Sequence, residues 1–223
     1  MKYCELEEYL FSIKDSKYAD FSKSLSNSDY LVIGVKIPVL REIIIKHKLD
    51  DELNPEEFVL GKYLEVDFIY FGLSLLRLKT VGEQLLFLKE KIKLAKSWAV
   101  TDTISNFIKK TSFDEFYDFF LFAYKSKHTY LRRMGYILAL KQYKNKEILK
   151  VLPFMTLNEE YMVMMAQAWL LATIAIIYPN QIYDYLSKCN DLTLKRKTIS
   201  KISDSFRFDD KTKERFKSLR NEQ

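Results

Sequence analysis

The sequence predicts an all-α fold: one domain over residues 1–223, an α-solenoid of HEAT/armadillo-like helix pairs. Three observations carry this. Gly (5) and Pro (4) are scarce among 223 residues, and strong helix formers abound. Hydrophobic residues make up 48% and charged residues 30%, a globular rather than a disordered balance, and the length can bury a substantial core. From residue 81 onward, helical segments recur in pairs at a pitch of roughly 30–34 residues with no strand signal between them, which is the mark of a helical repeat.

Taken in order, helices are expected near 2–14 and 16–25. A loop then ends in Gly34-Val35-Lys36-Ile37-Pro38, where Pro38 suits the first turn of a helix running to about Lys48. Asn54-Pro55-Glu56-Glu57 opens a short helix by the same logic. Over 63–79, Leu64, Phe68, Phe71, Leu75 and Leu78 fall at helical spacing. Beyond that, first members of pairs begin near 81, 113, 145 and 179, and second members near 98, 128, 159 and 191. Residues 161–178 hold no charge, a length compatible with a membrane span. Asn158 as cap, Glu159 and Glu160 in the first turn and the stop at Pro179 favour the buried central helix of a soluble protein, so no membrane partner is expected.

Charge is unevenly spread. Residues 89–150 carry 14 Lys/Arg against 6 Asp/Glu, and residues 191–220 carry 10 against 5, on an otherwise acidic body with net charge +6 overall. Two basic blocks suit a polyanionic partner, although Lys also serves simply to solvate helix faces. Cys4 and Cys189 are the two cysteines and His47 and His128 the two histidines, all far apart, so neither a disulfide framework nor metal-ligand spacing is present. Glu5, Glu7 and Glu8 stand where a leader peptide would be apolar, and a reducing cytoplasm is the expected compartment.

The segment Trp98-Ala99-Val100-Thr101-Asp102 carries the candidate chemistry. Residues four apart share a helix face, so indole and carboxylate project together. Trp169 is the second of two tryptophans, and Arg133 lies on the helix between. All four fall on second helices of successive pairs, which a solenoid aligns on one wall. A carboxylate among aromatic faces suits stabilisation of a transient cation, whereas a core Trp beside a surface Asp would need no function.

At these residues the chain resembles the AlkD-like DNA alkylation repair glycosylases, a HEAT-like repeat family. Gly34-Val35-Lys36-Ile37-Pro38-Val39-Leu40-Arg41 is similar to the family's opening motif, and Lys96-Ser97-Trp98-Ala99-Val100-Thr101-Asp102 to the segment of its catalytic Trp and Asp. Tyr130-Leu131-Arg132-Arg133-Met134 resembles its phosphate-contacting helix, and Met165-Ala166-Gln167-Ala168-Trp169 the helix of its second cleft Trp. The order and spacing hold from about 15 to 205.

The resemblance implies hydrolysis of the N-glycosidic bond of cationic N3- or N7-alkylated purines in duplex DNA, without the base flipping most glycosylases need. It implies Asp102, Trp98 and Trp169 as catalytic residues and Arg133 as a phosphate contact. Arg132, Lys96, Lys109 and Lys110 would add backbone attraction. No cofactor or metal is implied, and a monomer acting on alkylated duplex DNA is expected. The chain departs from the family at Met165 and Ala172, where well-studied members are basic. Two other readings stand beside the enzyme: a HEAT-like module that binds damaged or branched DNA without cutting it, and a protein-interaction scaffold, the commonest use of such solenoids.

Overall fold

The computed structural model describes residues 1–26, 28–155 and 160–220. Among these the chain is all-α, with twelve α-helices, several 3₁₀ segments and one isolated bridge pairing Leu31 with Tyr63. The chain forms two compact units, Met1–Thr111 and Ser112–Gln223.

The first unit contains α1 (Tyr3–Ser12), α2 (Ser16–Ser26), α3 (Ile37–His47), α4 (Leu64–Arg77), α5 (Val81–Lys91) and α6 (Trp98–Ile104). Helix α4 is its centre. Every residue from Leu64 to Leu73 is buried, and α3 and α6 pack against it. That stretch encloses two carboxylates, Glu65 and Asp67, and buried charge must find donors. Glu65 accepts the amide hydrogens of Ile33, Gly34 and Val35 at 3.0, 2.7 and 3.2 Å. This shapes the loop that delivers Pro38 to the first turn of α3. Gly34 sits at φ 102°, and a Cβ there would lie 2.2 Å from the Asp15 carbonyl oxygen, so only glycine fits.

The second unit contains α7 (Phe113–Tyr124), α8 (Thr129–Ala139), a 3₁₀ segment Lys146–Phe154, α9 (Tyr161–Ile174), α10 (Pro179–Ser187), α11 (Leu192–Asp204) and α12 (Asp210–Ser218). Helix α8 packs on α7 and on α9, and α9 on α11, so the second members of these pairs form one layer. A buried chain, Gln167 to the Tyr136 hydroxyl to the Phe154 carbonyl, runs through it at 3.0 and 2.7 Å.

Expected helix starts hold to within two residues, and local caps set several of them. Thr80 with Glu83 and Ser112 with Glu115 form capping boxes, and Asp191 caps α11. One expectation is corrected in type. The member expected near 145 is the 3₁₀ segment, because Pro153 cannot donate to the Leu149 carbonyl and its ring would strike that group in an α-helix. The uncharged run over 161–178 is divided. Helix α9 covers 14 residues, about 21 Å at 1.5 Å per residue, and Pro179 starts the next helix. Among the described residues no helix is long and apolar enough to cross a membrane. The expected cap Asn158 and its neighbour Glu159 lie outside the described residues; Glu160 stands at the N-cap position.

Candidate functional site

Helix α6 has seven residues, and its direction is set by what holds its N-terminus. Ser97 is the N-cap, with its hydroxyl accepting the Ala99 amide at 3.1 Å. The same hydroxyl reaches the Ser26 carbonyl at 3.4 Å, and the Trp98 indole Nε1–H donates to the Leu25 carbonyl at 3.1 Å. The last turn of α2 therefore receives the start of α6. One residue earlier, the Lys96 amide donates to the Tyr30 hydroxyl at 3.1 Å, and that hydroxyl donates to Asp67. Asp67 also accepts the Gly61 amide at 2.8 Å, while the Lys96 ammonium donates to the Gly61 carbonyl at 3.1 Å. Gly61, at φ 81°, leaves room for that ammonium, which a Cβ would meet at 2.9 Å. Burial holds the Asp67 carboxyl above its ordinary range, opposed by the Tyr30 hydrogen bond, the Gly61 amide and the Lys96 charge.

Within α6, Thr101 donates to the Trp98 carbonyl at 2.9 Å and lies 3.2 Å from Asp102 Oδ1. Thr103 donates to the Ala99 carbonyl at 2.6 Å and Ser105 to the Asp102 carbonyl at 2.7 Å. These hydroxyls compete for helix carbonyls, and α6 tightens into a 3₁₀ turn at Ser105–Phe107. Asp102 is half-buried, one turn beyond Trp98. Trp98, Ala99 and Thr103 border a cavity of about 180 Å³ whose other walls include Phe21, Leu25 and Val35. The indole thus presents one edge to a backbone carbonyl and borders a mostly apolar hollow.

The basic residues of this unit divide. Lys109 donates its ammonium to the Leu78 carbonyl at 2.8 Å and to that of Lys79, closing the end of α4. Its amide donates to the buried side chain of Gln84, whose nitrogen holds the Leu75 and Phe107 carbonyls at 2.7 and 3.2 Å. Lys110, next in sequence, is exposed. Lys96 and Lys109 thus have backbone partners that spacing could not reveal.

In the second unit, Arg133 is 5% exposed and donates to the Met162 carbonyl at the start of α9. Arg132 pairs with Glu160 at 3.1 Å, and Thr129 donates to the same carboxylate. Both arginines thereby bind α8 to the N-terminus of α9. Trp169 stands on the outer side of α9 with 39% of its surface exposed. Met165 and Ala172 lie one turn to either side, neutral as read. Glu65, Asp67, Tyr30 and Gln84 escaped the sequence reading; two acidic residues inside the apolar run 64–73 were the available signal for the first two.

Among the described residues no group of three His, Cys, Asp or Glu side chains is placed to hold a metal ion. No curated protein and no solved structure matches the chain. The family model described as DNA alkylation repair enzyme matches residues 6–203, which is most of the chain and spans both Trp98 with Asp102 and Arg133 with Trp169. The chain belongs to the AlkD-like DNA alkylation repair family.

Proposed function

We propose that the protein is a monofunctional DNA glycosylase that hydrolyses the N-glycosidic bond of cationic N3- or N7-alkylated purines in duplex DNA. The observation that carries this reading is the half-buried Asp102 one turn from Trp98, on a short helix pinned at its N-terminus, in a chain of an alkylation-repair family. A cationic purine leaves with the bonding electron pair and becomes neutral, so it needs no general acid. Positive charge passes to the deoxyribose as the bond breaks. Asp102 stabilises that oxocarbenium-like state, and water then bonds to the sugar carbon and gives up its proton through Asp102 or directly to solvent. Trp98 offers its ring to the cation, and Trp169 supplies the second aromatic surface. The chain acts as a monomer, without a cofactor. The family motifs place no lysine for Schiff-base chemistry, so strand cleavage is not part of the reaction in this reading.

Arg133 serves packing of α8 on α9 in this state, so Lys110 and the exposed cations of the second unit carry backbone attraction in this reading. The neutral Met165 and Ala172 favour a second reading, a module that binds damaged DNA without cutting it. The test is release of free base from a duplex holding N7-methylguanine. Asp102→Asn should reduce release by at least ~10²-fold while affinity holds or rises, because a preorganised charge facing the cation is gone. Equal release by wild type and variant would remove Asp102 from the mechanism. Wild-type binding with no release from any cationic lesion would establish the binding module instead.

A further inference from the structure

We propose that a cavity beside Trp169 in the second unit is a DNA phosphodiester site, in which Lys201 and Arg207 hold a backbone phosphate while the indole packs on the adjoining nucleotide. This rests on the reading that the protein works on DNA. The cavity, about 280 Å³, is bordered by Trp169, Ala172 and Thr173 of α9, by Lys201 and Asp204 of α11, and by Arg207 of the following turn.

The placement follows from how α9 and α11 pack. Tyr161, Met165 and Trp169 recur every four residues along α9, an outward stripe without charge. Helix α11 lies against α9 and carries Lys197 and Lys201, also four apart. The Lys197 ammonium lies 6.0 Å above the Tyr161 ring, and Lys201 shares the cavity with Trp169. Cations of one helix thus flank the aromatic stripe of its neighbour. Charge absent at Met165 and Ala172 on α9 is present on α11 and the turn after it. Arg207 completes the arrangement with a fork suited to two phosphate oxygens. Beside it, Phe206 is fully exposed. Asp204 is the one carboxylate on the cavity wall, so two cations face one anion. An exposed indole beside such an excess fits a nucleotide, with the ring against sugar or base and the cations on phosphate.

The experiment measures binding of the full chain to an undamaged duplex as salt is varied. Each phosphate neutralised adds about 0.9 to the slope of log affinity against log salt, so Lys201→Ala with Arg207→Ala, which together release one phosphate, should lower the slope by about 0.9. Between about 50 and about 200 mM salt the wild type then loses roughly 3.5-fold more affinity than the double variant. Asp204→Asn should bind more tightly than wild type. Unchanged helical circular dichroism shows that the variants fold. An unchanged slope in the folded double variant, weaker binding by Asp204→Asn, or capture of acidic peptides in preference to duplex would each overturn the proposal. Base release is scored separately. A lowered slope with no base release keeps this site and removes the catalytic reading, whereas normal release with an unchanged slope does the reverse.

Discussion

Replacing Tyr30 by Phe isolates one hydrogen-bonding group at the centre of the first unit. The side chain is 1% exposed, and its ring volume is retained, so apolar burial barely changes. What is lost is the hydroxyl that donates to Asp67 and accepts the Lys96 amide at 3.1 Å. A hydrogen bond to a charged acceptor contributes about 1.5–3 kcal/mol and a neutral one about 0.5–1.5, so the expected loss is about 2–4 kcal/mol. Asp67 keeps the Gly61 amide at 2.8 Å, which argues against a larger value. The loss also depends on pH. Burial raises the Asp67 carboxyl, and the Tyr30 bond lowers it in part. A raised acid favours the folded state when protonated, and that advantage disappears as pH rises through the folded pKa. Removing Tyr30's hydroxyl raises the carboxyl further, so Tyr30→Phe should cost more at neutral than at mildly acidic pH. Urea unfolding at both pH values reads this as a shift in midpoint at constant slope. A loss under about 0.5 kcal/mol, or one larger in acid, would refute the account of this network.

Two other stability predictions follow from backbone and caps, and the Asp102→Asn base-release assay stands with them. Gly34→Ala forces a Cβ into a φ of 102° and to 2.2 Å from the Asp15 carbonyl oxygen, and should destabilise by more than about 2 kcal/mol; thermal unfolding within a degree of wild type, about the precision of a melt, would show that the loop relaxes freely. Glu115 is held below its ordinary 4.5, first by the Ser112 amide and then by the Ser112 hydroxyl. Its stabilisation is complete above that value and is lost as pH falls through the lowered pKa, so Glu115→Gln should flatten part of the acid limb of Tm against pH. Parallel acid limbs in the two proteins would show that this capping box carries no such linkage.

Local chemistry was legible in the sequence, and reach was not. Helix starts at Val81, Phe113 and Leu192 follow from Thr80 with Glu83, Ser112 with Glu115, and Asp191, all within a turn of the helix they begin. Trp98 and Asp102 share a face because four residues make about one turn. The partners of Lys96, Lys109 and Arg133 lie 35, 30 or 31, and 29 residues away, at carbonyls exposed by loops and helix ends whose positions are tertiary. A long cation reads alike in sequence whether it meets a phosphate or a carbonyl. Glu65 and Asp67 were hidden for a related reason: acidic residues near a helix start are usually solvated, and only the folded loop 30–36 supplies amides to the first.

This division explains how α6 can serve catalysis in the proposed mechanism. Seven residues make about two turns, too short for a helix to be stable by itself. Its own hydroxyls weaken the carbonyl ladder further at Thr101, Thr103 and Ser105. The orientation of Asp102 therefore depends on the tethers that precede it: Trp98 to Leu25, Ser97 to Ser26, and Lys96 to Tyr30. The first two rest on α2, and the third passes through Tyr30 to Asp67 on buried α4. A carboxylate can lower a barrier by preorganised charge only if it need not be reoriented during reaction. The buried Asp67, although remote from any proposed chemistry, is thus the group through which the core of the unit holds the start of α6.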